Sequence, residues 1–92
     1  MTSKRITWDA AKAESNLRKH KVSFAEGATV LDDEQAAWSP DTHHGELRLN
    51  VIGYSNRGRV LFVVTVETDE DAFRIISARK ATSHERRRYE DR

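Results

Sequence analysis

Arginine is the residue whose placement first suggests chemistry in this chain. "RIISARKATSHERRRYE", residues 74–90, passes from β-branched residues to a cluster of arginines beside Tyr89, and a further arginine, Arg48, lies in "ELRLNVIGY". A guanidinium group binds phosphate through paired hydrogen bonds and stabilises the charge that grows on a phosphorane-like transition state. RNA carries its own nucleophile: a 2′-hydroxyl aligned on the adjacent phosphate needs only orientation, a proton acceptor and an anion stabiliser. A metal-free site of Arg with Glu, Tyr or His therefore has the chemistry to cleave RNA. The carboxylate to weigh with Arg48 is Glu67, at the end of "RVLFVVTVE".

Those side chains act together only if the elements beneath them bring them together. Asp9 is placed to cap a first helix with Ala10, Ala13 and Leu17 as its apolar face, Trp8 stapling onto Ala13. "KHKV" ends that helix with cations suited to its negative pole. Ser23 and Glu26 form a second capping box, opening a short helix with Phe24, Ala28 and Leu31 inward. The proline in "WSPDTHHG" marks a turn, which leaves "AAW" at most a short extended piece. From Glu46 the period changes to two: "ELRLNVIGY", "RVLFVVTVE" and "AFRIISARK" read as three strands of an antiparallel meander, the middle one apolar on both faces. Thr82 and Glu85 form a third capping box for a C-terminal helix so polar that the sheet or a partner must hold it.

A turn at Ser55–Gly58 sets Tyr54 against Arg59 and Arg48 against Thr65, with Glu67 one diagonal step away on the open face. A second turn at Thr68–Asp71 sets Thr65 against Arg74, so Arg48, Thr65 and Arg74 form a row. Arg79, an odd number of residues beyond Arg74, then points the other way unless a bulge intervenes. Arg74 and Arg79 both stay candidates.

Composition narrows the classes. With 92 residues, 37% of them hydrophobic, the chain has enough for a single domain spanning 1–92. The absence of cysteine excludes disulfides and thiolate metal sites and suits a cytoplasmic protein. No apolar run is long enough to span a bilayer, and "MTSKRITWD" lacks the apolar core of a signal peptide, so no membrane association is expected. Charge is segregated: residues 1–22 hold six Lys/Arg against two acids, residues 23–46 six acids and no Lys/Arg, and residues 74–92 seven Lys/Arg against three acids. Asp41, His43 and His44 offer metal-ligand chemistry but lie in one turn with no further ligand at recognisable spacing, so neither metal nor cofactor is expected. The rival class is a non-catalytic RNA- or ribosome-binding module using the same cations, although the aromatic RNP pattern and the GxxG loop of common modules are missing.

Three blocks, "WDxxKxxxNxxKHxVSFxEG" from Trp8 to Gly27, "RxxxIG" from Arg48 to Gly53 and "RIISARKATxxERRRYE" from Arg74 to Glu90, resemble the BrnT family of type II toxins over nearly the whole chain. The resemblance implies an α+β, RelE-like fold: two N-terminal helices packed on an antiparallel β-sheet meander, then a short C-terminal helix. It implies a metal-independent endoribonuclease that stops translation by cutting mRNA, with or without the ribosome. A BrnA-type antitoxin would hold it inactive and promoter DNA would be met only through that antitoxin; from the basic C-terminal helix itself, inhibition is expected to bury that helix. Carried onto this sequence, the family blocks place Arg48 and Arg79 in the active-site group and favour Arg79 over Arg74. Glu67 is then the expected base. Tyr89 is expected to stack on a base or transfer a proton, with anchoring of the helix as the alternative. Lys19, His20, Lys80 and Arg86 are expected on RNA phosphates, and Ala78 is expected to leave room at the groove floor.

Overall fold

The computed structural model describes residues 5–41, 47–69 and 72–91. The chain forms β1 (Arg5–Thr7), α1 (Ala10–His20), α2 (Phe24–Val30), β2 (Ala37–Asp41), β3 (Arg48–Tyr54), β4 (Val60–Asp69), β5 (Ala72–Lys80) and α3 (Ser83–Glu90). The strands make one sheet in the order β1-β5-β4-β3-β2. β1 runs parallel to β5 and the other neighbours are antiparallel. The expected meander is therefore the centre of a mixed sheet, extended at both edges. β1 is too short for a period to show, and β2 contains Pro40, which an edge strand tolerates because its missing N–H can face away from the ladder.

Local capping follows the sequence. Asp9 accepts from the Lys12 amide at 2.9 Å, and Thr82 and Glu85 complete a reciprocal capping box. Ser23 accepts from the Glu26 amide at 2.9 Å, but the expected second half of that box is replaced, the Glu26 carboxylate turning to Ser55 and Arg59. α1 departs from its expected apolar stripe: Leu17 is 47% exposed, and the buried residue of the helix is Asn16.

One sheet face packs Val51, Leu61, Val63, Ile75 and Ala78 against Val22, Phe24, Val30 and Leu31. Each large side chain so buried contributes roughly 1.5–3 kcal/mol. α2 approaches closely, since a Cβ on Gly27 would lie 3.1 Å from that of Ala78. The small side chain at position 78 thus makes room for α2, not for a groove on the other face. That other face is covered at one end, where Tyr89 of α3 joins Ile52 and Val60, with Phe62, Ala37 and Ala81 around them. The sheet itself holds the polar helix.

Candidate active site

β1 accompanies β5 only as far as Arg74, which leaves the outer backbone edge of β5 to be satisfied by something else. Asn16 does this as a one-residue strand: its amide nitrogen donates to the Ala78 carbonyl at 2.8 Å and to the Val22 carbonyl at 2.9 Å, and its oxygen accepts from the Ala78 amide at 3.3 Å. α1 is clamped along that edge. Lys12, Ser15 and Lys19, spaced three and four residues apart, share the helix face that meets β5.

The pairing of β3 with β4 is shifted by one residue from the expected register. Tyr54 pairs with Val60, so the turn runs from Ser55 to Arg59 and Arg48 sits opposite Val66. Val66 in turn pairs with Arg74, and Thr7 lies next to Arg74 on β1. Arg48, Val66 and Arg74 form a row across the open face, the two arginine backbones about 10 Å apart across two strand spacings. They line one cleft of about 300 Å³ with Asp9, Lys12, Ile75 and Ile76. A second cleft of about 250 Å³, lined by Lys12, Ser15, Asn16, Lys19, His20, Ile76 and Ser77, adjoins it.

A bulge decides the orientation of Arg79. Thr65 pairs with Ile75 and Val64 with Ser77, so Ile76 is the extra residue of β5. The parity between positions 74 and 79 is thereby restored, and Arg79, paired with Phe62, emerges on the same face as Arg74. It emerges at the other end, about 16 Å from Arg48 by strand geometry. There its guanidinium grips Glu85 through two bonds of 2.8 and 2.9 Å and lies 4.3 Å from the centre of the Phe62 ring. The hydrogen bond to Glu85 pushes the Arg79 pKa up against the opposing effect of burial. For Glu85, burial pushes the carboxyl pKa up, but the hydrogen bond from Arg79, the Thr82 amide and the guanidinium charge together hold it below its usual range.

The remaining candidates separate as well. Glu67 pairs with Phe73, one residue off the Arg48–Val66 pair, and belongs to the face opposite Arg48, so the expected Arg48–Glu67 meeting on the open face does not occur. Tyr89 is only 6% exposed; its hydroxyl donates to Asp33 at 2.8 Å and its ring packs edge-on to Tyr54 at 5.5 Å, which leaves it no face for stacking on a base. Lys80 and Arg86 line a different cleft of about 300 Å³, with Tyr54 and Arg59 at the turn end of the sheet. Lys19 and His20 line the second cleft beside β5. Of the residues weighed as metal ligands, His43 and His44 lie outside the described residues, and among the described residues no cluster of three ligating side chains occurs.

Two cleft residues were missed by sequence reading: Asp9, taken only as a cap, and Lys12. Their signal was the polar repeat Asp9, Lys12, Asn16, Lys19, spaced at three and four residues, which marks one helix face as surely as an apolar stripe does. Also missed was Glu26, which is buried and accepts from the Ser55 hydroxyl at 2.6 Å, from Arg59 Nε at 2.9 Å and from Arg59 Nη2. Arg59 is the main cause of its lowered pKa, against burial, with Ser55 and the charges of Arg59 and Arg57 assisting.

The fold is a small α+β unit with a cleft lined by Arg48, Arg74 and Lys12 on its open sheet face. The family model described as "ribonuclease toxin, BrnT, of type II toxin-antitoxin system" matches residues 8–85, and the chain belongs to this family. The chain is also similar to the Brucella abortus ribonuclease toxin BrnT in its crystal structure, with a TM-score of 0.70 and 28% identity over 87% of this chain and 99% of that one. No curated protein matches at a significant level. An antitoxin partner and an RNA target follow from the family, and no helix among the described residues is long and apolar enough to cross a membrane.

Proposed function

We propose that this ribonuclease toxin cuts single-stranded RNA in the Arg48–Arg74 cleft, by attack of a 2′-hydroxyl on the neighbouring phosphate. The observation that carries the reading is the shared row: two guanidinium groups from distant parts of the sequence flank one cleft, with Lys12 on its wall. Their donors fit the oxygens of a phosphorane, where charge grows as the reaction proceeds. Asp9, the carboxylate among the cleft's lining residues, takes the 2′ proton. It has an oxygen to spare beyond the one that caps Lys12. The 2′-oxygen bonds to phosphorus as the bond to the 5′-oxygen breaks, and that oxygen leaves with a proton from water. The products are a 2′,3′-cyclic phosphate and a 5′-hydroxyl, and no step requires a metal.

The test is cleavage of a defined RNA by the purified chain in EDTA, with the new ends identified. Cyclic phosphate ends, and their loss in a folded Arg74→Ala variant, support the proposal. Arrest by EDTA, 3′-hydroxyl ends, or binding without cleavage overturns it, the last leaving only a binding module.

In the cell this activity removes mRNA and so stops translation, and a BrnA-type antitoxin silences it by covering the cationic surface. Arg86, Arg87 and Arg88 are exposed along α3, whose buried residue is Tyr89, and give an acidic partner segment a ready contact. Hydrogen exchange in the complex should show α3 protected; an unchanged α3 would exclude this mode of inhibition.

A further inference from the structure

Lys12 and Ile76 line both clefts, so the two are lobes of one groove along the seam between α1 and β5. The lobes differ in chemistry. The Arg48–Arg74 lobe contains the Asp9 carboxylate, whereas the second is lined by Lys12, Lys19 and His20, the Ser15 and Ser77 hydroxyls, and no carboxylate. Asn16 cannot serve a ligand there, because both ends of its amide are committed to Val22 and Ala78. Lys12 and Lys19 are seven residues apart, about 10 Å along the helix axis. That spacing gives two anion positions in series, not one shared position. Between them the bulge thrusts half-buried Ile76 into the floor, an apolar surface of the kind on which the face of a nucleobase rests.

We propose that the second lobe is a phosphate subsite for the nucleotide next to the scissile bond, with Lys19 and His20 as its binding residues, so that the toxin reads a strand at least two phosphates long. The inference rests on the cleft being the cleavage site and adds where the rest of the strand lies. An extended single strand fits the seam. Lys19 contributes affinity and alignment without base choice, as phosphate contacts do.

Two measurements test the subsite. The first compares cleavage of a dinucleotide, which has one phosphate, with trinucleotides extended on the 5′ or the 3′ side. One of the two extensions should raise kcat/KM about tenfold or more, and in Lys19→Ala the ratio of trinucleotide to dinucleotide should fall toward one, with Lys19→Arg restoring it. The second uses an uncleavable 2′-O-methyl oligoribonucleotide, for which the slope of log affinity against log salt should drop by about 0.7 in Lys19→Ala, the value for one lost phosphate contact on a single strand. Equal rates on di- and trinucleotides, or an unchanged salt slope, would overturn the subsite. The proposed cleavage reaction fails separately, if no RNA is cut at all, and the salt slope still tests the seam in that case.

Discussion

The two ends of the open sheet face carry the same kind of residue and use it differently. At the α3 end, Arg79 is bound to Glu85 and stacked on Phe62 and Tyr89 is tied to Asp33, while at the adjoining turn Arg59 is bound to Glu26 of α2, buried on the other side of the sheet. At the β1 end, Arg74 is exposed, and it forms no salt bridge with any carboxylate among the described residues. An arginine whose donors are already filled by a carboxylate fastens one element to another. Arg74, exposed at the cleft, keeps its donors for a ligand. Composition cannot tell these two uses apart, since both ends read as basic sequence; the partner carboxylates, Glu85 and Glu26, make the distinction.

The largest effect expected from this contrast is on rate at the β1 end. Arg74→Ala or Arg48→Ala should lower kcat by about 10²–10³, the cost of removing one donor to a developing anion, while KM changes far less. Single-turnover cleavage beside a binding titration separates the two quantities, and equal losses in both would reduce these arginines to phosphate positioning. Asp9→Asn sharpens the point, because Asn caps a helix as well as Asp but accepts no proton. The variant should unfold at the wild-type temperature and lose about 10²-fold or more in rate. Wild-type activity would remove Asp9 from the reaction.

At the α3 end the expected losses are in stability. Glu26→Gln leaves Arg59 without its counter-charge and should cost about 2–3 kcal/mol in a denaturant titration, below the range for a fully buried pair because Arg59 is partly exposed. The acid limb of the stability curve should respond as well. The Glu26 pKa is lowered in the folded chain, so its contribution is complete above the ordinary carboxylate value of 4.5 and disappears as pH falls through the lower folded value. Glu26→Gln should flatten that part of the curve, and an unchanged acid slope would show that the pair does not govern it. Glu85→Gln should cost about 1–2 kcal/mol, since the guanidinium it frees is one-third exposed and solvent compensates in part.

The contrast also explains what the sequence could and could not disclose. The caps at Asp9, Ser23 and Thr82 were legible because capping is local chemistry, set by residues three apart. The three central strands were legible because alternation survives in any register. The relative facing of Arg48, Glu67, Arg74 and Arg79 was not, because each depends on a count of one residue: the turn extends to Arg59, and Ile76 is an extra residue in β5. Nothing in "RIISARK" announces that bulge. β1 and the seam groove were hidden for a related reason, since both exist only through pairing with β5, which no local pattern records.

The smallest expected effect bears on Tyr89, whose two sequence readings, chemistry or anchorage, predict opposite results. Tyr89→Phe keeps the ring in its place against Ile52, Val60 and Tyr54 and removes the bond to Asp33. Asp33 retains a second use, because the same oxygen accepts from the Tyr54 amide at 2.9 Å, so the loss leaves no orphaned acceptor and should amount to about 1 kcal/mol. If anchorage is the role, cleavage by the folded variant stays within about twofold of wild type, because this end of the face does not touch the reacting phosphate. A loss of kcat approaching the 10²–10³ expected for Arg74→Ala, with stability nearly intact, would mean that α3 moves and brings the phenol to the substrate. The division of the sheet face into a fastened end and a reactive end would then be wrong.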